Sequence, residues 1–256
     1  MSVEARNDAG ARAVVGEGSR ADRACRPDEP RISIIIPTLD EARVIDALLS
    51  QLAPLRGRCE IVFVDGGSSD GTREAILDAG FRLVDAPRGR GIQLNAGARA
   101  SSGEILFFLH ADSALPPDPL GEIRRAMRGR RVGCFGVRFE PSSPLMLCCR
   151  LLSNFRCYVR RIMFGDQGIF IDRDLFFEVG GFPDLPLMED YQFSLDLRAR
   201  GFRPAATRRR IATSSRRYGT TPASRIKTML LMGRLRRMYR EGAPVDEIAR
   251  IYGQAR

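Results

Sequence analysis

The segment "RISIIIPTLDEARVIDALLSQL" (31–52) changes its hydrophobic period at Pro37. "RISIIIP" (31–37) is a β-branched apolar run without alternation, the pattern of a parallel strand covered on both faces. Beyond the proline, Val44, Ala47, Leu48 and Leu52 recur at helical spacing, so a helix follows. The turn between them, "PTLDEA", lacks the GxGxxG of a dinucleotide-binding dehydrogenase, which excludes that class.

The same unit repeats downstream. "CEIVFVDGG" (59–67), "FRLVDAP" (81–87) and "GEILFFLHAD" (103–112) read as strands, and "TREAILDAG" (72–80) and "GIQLNAGARA" (91–100) as helices. Strand and helix alternate every roughly 20 to 25 residues, which predicts right-handed crossovers and an α/β fold with a mostly parallel sheet. Ligands of such sheets sit beyond the carboxyl ends of the strands. That rule places Asp40, Glu41, Asp65, His110 and Asp112 on one rim. Further on, strands are expected at 131–140 and 168–173, and helices at 143–162, 173–182, 187–202, 224–242 and 243–253. The stretch after Ala111 reads as coil.

The chain has 256 residues, 44% of them hydrophobic, enough for one large domain. Residues 1–30 show no apolar periodicity and read as a disordered leader without the apolar core of a secretory signal. No window reaches the ~18 to 20 apolar residues that span a bilayer, so a cytoplasmic protein is expected. The six cysteines have no CxxC spacing and read as reduced packing residues. Net charge is +10, and from Arg198 onward 16 basic residues face three acids. A basic end suits nucleic acid, an anionic membrane or a phosphorylated substrate. All but one of the 41 basic residues are Arg, so a biased composition with a solvated basic face is the other reading. With no zinc-finger spacing, no RNP-type strand and no Trp, a nucleic-acid partner is not expected.

Several motifs carry chemistry or ordinary structure. Asp65 precedes Gly66 and Gly67, where backbone can approach a ligand closely; Asp and Gly are also common turn residues. "FFLHAD" (107–112) ends a strand in His110, the single histidine, and Asp112. Mg or Mn takes carboxylate and water oxygens with occasional imidazole, so this pair suits a metal corner or a hydrogen-bonded strand end. Glu189 and Asp190 open a helix, where the macrodipole by itself favours acids. Asp166 and Gln167 in "FGDQGIF" (164–170) offer polar groups before a strand, or make a simple turn. "RGRG" (88–91) puts Arg88 and Arg90 where guanidinium groups can meet a diphosphate. "SSRRYG" (214–219) offers a second, weaker basic contact of the same kind.

"SIIIPTLDEA", "IVFVDGGSSDGT", "GIQLNAGARASSGEILFFLHAD" and "GGFPDLPLMEDYQFSLDLRARG", in this order over about residues 31 to 215, resemble the family 2 glycosyltransferases of the GT-A fold. The co-occurrence of "VDGGSSDGT", "FLHAD", "GDQGIF" and "PLMED" is similar to a bacterial subgroup labelled arsenosugar-biosynthesis or radical-SAM/selenodomain-associated glycosyltransferases. The resemblance implies a catalytic domain over 31–221, a mostly parallel sheet flanked by helices, with the helices of 222–256 packed on it. It implies an inverting transferase that moves a sugar from a nucleotide-diphosphate donor, a UDP-sugar, to a small-molecule acceptor with Mn2+ or Mg2+.

By the same resemblance, Pro37, Thr38, Asp40 and Glu41 hold the nucleotide, Asp65 contacts the base, and Gly66 and Arg90 complete the donor site. Asp112 matches the last residue of the family's Asp-any-Asp metal motif, with His110 standing in the first position. Asp190, beside Glu189, is the expected catalytic base, and Asp166 and Gln167 the expected sugar or acceptor contacts. Two alternatives stay open: a nucleotide-sugar pyrophosphorylase-like nucleotidyltransferase, and a non-enzymatic basic protein that binds membrane or nucleic acid. The helix at 222–240 carries Ile226, Met229, Leu230, Leu235 and Met238 among Arg residues. It can either touch a membrane surface or pack on the domain.

Overall fold

The computed structural model describes residues 29–140, 142–214, 219 and 221–254. The expected leader, apart from its last two residues, and Arg216 and Arg217 of "SSRRYG" lie outside the described residues. The chain alternates β1 (Ile32–Thr38), α1 (Ala42–Leu52), β2 (Glu60–Asp65), α2 (Thr72–Asp78), β3 (Arg82–Asp85), α3 (Arg90–Ala100) and β4 (Ile105–Phe108). Then follow β5 (Ser113–Ala114), α4 (Pro119–Ala126), β6 (Val132–Glu140), α5 (Pro144–Tyr158), β7 (Ile169–Asp172) and α6 (Arg173–Glu178). The last elements are α7 (Glu189–Ala199), β8 (Ala205–Ser214), α8 (Pro222–Arg240) and α9 (Val245–Gln254).

One sheet of order β3-β2-β1-β4-β7-β6-β8-β5 runs through the molecule. β1 to β4 pair in parallel, β7 is antiparallel to both β4 and β6, and β8 is parallel to β6. The apolar run of β1 is explained by its two faces. Ile32, Ile34 and Ile36 pack into one core with Ile45, Leu48 and Phe63. Ile35 points the other way, toward Leu94, Phe176 and Phe193. A strand covered on both sides has no polar face to show.

Register sets the working rim. Thr38 pairs with Asp65 and Asp65 with Asp85, so β1, β2 and β3 end level with one another. Leu109 N donates to Ile35 O at 3.0 Å, which brings the chain after β4 out beside the end of β1. α3 lies close on this sheet through Gly97, where a Cβ would stand 2.4 Å from Ile35 Cγ2 and 2.8 Å from Val64 Cγ2. Gly97→Ala is therefore expected to lower stability by about 1–3 kcal/mol through overpacking. A thermal melt checks this, and an unchanged melting temperature would contradict the packing.

β5 and α4 form in the stretch expected as coil, and β8 in a stretch for which no element was expected. α4 forms in the stretch after Ala111 because Asp118 caps it, accepting from Gly121 N, with Pro119 in its first turn. β8 has the run Arg208-Arg209-Arg210 in its middle, which hides its strand character. There the buried Glu122 accepts N–H bonds from Arg208 (2.9 Å) and Arg209 (3.3 Å), beside a register shift between Cys134 and Gly136. α8 and α9 bury Leu235 and Ile248 against Ile162, Met188 and Tyr191. The Tyr239 hydroxyl donates to Gln192 Oε1 at 2.6 Å. No helix among the described residues is long and apolar enough to cross a membrane.

Candidate active site

The loops after β1 and β2 brace each other atom by atom. Asp40 N donates to Ser68 Oγ (3.0 Å), and Ser69 N returns a bond to Asp40 Oδ1 (2.9 Å). Glu41 N meets Thr72 Oγ1 at 2.8 Å, and Ala42 N meets Asp70 Oδ2 at 2.9 Å. Gly66 N donates to Thr38 O at 2.9 Å. Asp40 holds a left-handed φ of 53°, a backbone conformation that Asp tolerates better than most residues. The result is a rigid shelf at the carboxyl end of the sheet with Pro37, Asp40 and Glu41 along it.

Asp65 is the anchor of that shelf. Its carboxylate is fully buried and accepts from Gly67 N (2.9 Å), Ser68 N (2.9 Å), Ser68 Oγ (2.5 Å), Thr38 Oγ1 (3.3 Å) and Arg73 Nη1 (3.0 Å). Burial alone would raise its pKa, but the Ser68 and Gly67 donors and Arg73 outweigh it and hold the carboxyl below its usual range. These donors hold the loop through both Asp65 oxygens. Thr38 is equally buried. Gln93, which the sequence did not single out, donates through Nε2 to both Thr38 O (2.9 Å) and Val64 O (2.8 Å). Gly66 lies against it, since a Cβ there would come within 3.0 Å of Gln93 Nε2.

A cavity of about 350 Å³ opens beside the shelf, and Glu41, Arg90, His110, Asp112, Asp166 and Asp190 all line it. Residues from the segment after β4, from the turn before β7 and from the start of α7 meet here; of the expected rim, Glu41, His110 and Asp112 line the cavity, and Asp40 and Asp65 stand on the shelf beside it. Gly165 joins them: its N–H donates to Asp190 Oδ2 at 2.8 Å, and a Cβ on it would stand 2.4 Å from His110 Nε2. Only a glycine lets His110 and Asp190 flank that backbone. Burial, then the Glu189 charge, pushes the Asp190 carboxyl up to about 7, against the opposing pull of Gly165 N–H and Arg90.

Glu189 and Gln167 lie behind the cavity wall. Glu189 is 2% exposed, does not line the cavity, and pairs with Arg90 Nη1 at 3.0 Å. It orients the guanidinium that does reach the cavity. Gln167 is fully buried and its Oε1 accepts from Phe164 N at 3.1 Å, so it shapes the 165–167 turn and leaves the cavity to Asp166. The sequence also missed Arg156 of α5 and Arg236 of α8, which line the cavity around Phe164, the Arg156 guanidinium 4.2 Å from the ring centroid. Helical periodicity carried no sign of them, because each is one Arg in an Arg-rich helix.

No group of three His, Cys, Asp or Glu side chains among the described residues could hold a metal ion by itself. His110 and the exposed Asp112 are two donors on one cavity wall. A larger cavity of about 890 Å³, lined by Arg58, Glu122, Arg125 and Arg209, contains none of the strand-end motif residues.

The profile described as "Glycosyl transferase family 2" matches residues 33–182, more than half of the chain. A Nostoc protein described as an uncharacterized glycosyltransferase is 37% identical over 101 residues, covering 36% of this chain and 31% of the relative. A PGL/p-HBAD biosynthesis glycosyltransferase of Mycobacterium bovis is 39% identical over 94 residues, covering 34% of this chain and 37% of the relative. The matched region thus spans about a third of the length of these curated relatives.

Among solved structures, a Pyrobaculum calidifontis mannosyltransferase in complex with GDP-Man and Mn2+ superposes with a TM-score of 0.60 at 22% identity, over 91% of this chain and 72% of that one. Glucosyl-3-phosphoglycerate synthase of Mycobacterium tuberculosis, in complex with Mn2+, UDP and glucosyl-3-phosphoglycerate, gives 0.55 at 20% identity, over 84% and 81%. These likenesses establish the GT-A fold. With the profile spanning the shelf and the cavity residues Arg90, His110, Asp112 and Asp166, the chain belongs to glycosyl transferase family 2.

Proposed function

We propose that the chain is an inverting glycosyltransferase that moves a sugar from a UDP-linked donor to a hydroxyl of a small-molecule acceptor, with Asp190 as the base. One observation carries the reading: a carboxyl pushed up to about 7 shares a single cavity with Asp112, His110 and Arg90. A base whose pKa lies near neutral both takes a hydroxyl proton and is free of it at physiological pH.

The shelf of Pro37, Asp40 and Glu41 receives the nucleoside, and Asp65, Thr38 and Gln93 keep that shelf in place. Asp190 accepts the acceptor hydroxyl's proton as the oxygen attacks the anomeric carbon. The bond from that carbon to the diphosphate breaks on the opposite face, which inverts the centre. Arg90, held by Glu189, meets the negative charge that develops on the departing diphosphate. Asp166 offers its carboxylate to sugar or acceptor hydroxyls.

The donor set suits Mn2+ or Mg2+. Such a cation is commonly held by one or two protein ligands, with substrate phosphates and water completing its shell. Asp112 would supply the carboxylate and His110 the imidazole. The ion, when bound, neutralises diphosphate charge.

Release of UDP from a panel of nucleotide sugars in Mn2+, with product anomer read by proton NMR, tests the proposal. An anomer opposite to the donor's supports it, and retention would contradict it. The Asp190 shift adds a pH expectation: kcat/KM falls tenfold per unit below about pH 7 as the free enzyme's base protonates. A profile flat from pH 5 to 8 would remove Asp190 from that role.

A further inference from the structure

Nine large apolar side chains are exposed among the described residues, and seven of them cluster on α5, its C-terminal cap and α8. Leu147, Leu151 and Phe155 stand at i, i+4 and i+8 on α5, with Leu152 and Val159 beside them, which makes one stripe. Leu151 is 58% exposed and Phe155 52%. The opposite side of α5 is already used, burying Met146, Cys149 and Cys157. On α8, Ile226 and Leu230 continue the apolar surface, Leu230 at 69% exposure.

The two helices form one unit. Arg225 Nη1 of α8 donates to Ser143 Oγ, the cap of α5, at 2.6 Å. Met229 packs against the cluster of Val137, Phe139, Met146 and Cys149. Residues 144–162 contain four Arg and no acid, and residues 222–240 contain five Arg, one Lys and no acid. Lys227, Arg234 and Arg237 are exposed on α8, and Arg160 just past α5.

We infer that α5 and α8 together form an in-plane docking face for a bilayer leaflet rich in anionic phospholipid. An apolar stripe rimmed by cations, with Glu241 just past α8 pairing Arg237 at 3.7 Å, matches acyl chains below and phosphate headgroups around. A second copy of the chain matches it poorly, because a two-fold contact would press like cationic rims together. The basic helix of 222–240, for which membrane contact was one of two readings, supplies the smaller part of this face, and α5 the larger. Ser153 and Arg156 of α5 and Met232 and Arg236 of α8 line the catalytic cavity, so docking would set the site's mouth beside the headgroups. The inference stands on these two helices and does not require the transferase reading.

Flotation of the full chain with vesicles tests it, comparing phosphatidylcholine alone with phosphatidylcholine containing about 30% phosphatidylglycerol at low salt. The chain is expected to float with the anionic vesicles and to be released at high salt. Leu151→Asp combined with Phe155→Asp should weaken that binding at least ~10-fold, with unchanged melting temperature, since both side chains are more than half exposed. Lys227→Glu combined with Arg234→Glu should weaken binding to anionic vesicles through charge alone. Absence of flotation by the wild-type chain, or wild-type flotation by both double variants, would overturn the inference. So would a wild-type dimer in light scattering that Leu151→Asp with Phe155→Asp turns into a monomer.

Discussion

Asp190→Asn should lower kcat by about 10²–10⁴-fold, the usual worth of a positioned general base, while nucleotide binding stays near wild type. The change is nearly isosteric, and the Asn Oδ1 can keep the N–H bond from Gly165 that now measures 2.8 Å. What it removes is the ability to take a proton. The fold should not suffer, because the variant also removes a half-buried charge beside Glu189.

The sign of the stability effect follows from the direction of the shift. A folded-state pKa of about 7 lies above the unfolded value, so this group favours the folded chain at low pH. That contribution is lost as pH rises from about 4 through 7. Catalysis should therefore gain over the range in which Asp190 costs stability, and the Asn variant should lose both trends. Wild-type turnover in Asp190→Asn would remove Asp190 as the base.

Asp112→Ala should leave folding within about 0.5 kcal/mol, because the side chain is exposed. UDP affinity in Mn2+ should fall at least ~10-fold. Calorimetry with and without Mn2+ separates a metal ligand from a direct contact. In the wild type Mn2+ should strengthen UDP binding; in the variant it should not. Equal Mn2+ dependence in both proteins would overturn the assignment of Asp112.

β1, β2 and β4 were legible because each is an apolar run buried on both faces, as Ile32 to Ile36 show, whereas β3 is a half-exposed edge strand. The rim was legible because chain order and parallel pairing alone bring Glu41, Asp65 and Asp112 toward one edge; Asp190 reaches the cavity from the start of α7, which that rule did not place. Orientation was not. Asp65 sits where a ligand contact was expected, yet its oxygens point back to Ser68 and Gly67. Glu189 and Asp190 are neighbours in sequence, and the turn of α7 sends one to Arg90 and the other to Gly165. β8 was hidden because Arg208, Arg209 and Arg210 interrupt its apolar pattern, and only the buried Glu122, 86 residues away, satisfies its bulged amides. Arg156 and Arg236 reach the cavity through the packing of α5 and α8 on the domain, a tertiary fact that neither helix carries in its own periodicity.

A thermal-shift panel of UDP-, GDP- and dTDP-sugars, each with and without Mn2+, tests the central claim most directly. The account predicts a rise in melting temperature with a UDP-sugar that requires Mn2+ and is lost in Asp112→Ala. No response to any nucleotide sugar with either Mn2+ or Mg2+, alongside stabilisation by anionic vesicles or DNA, would contradict it.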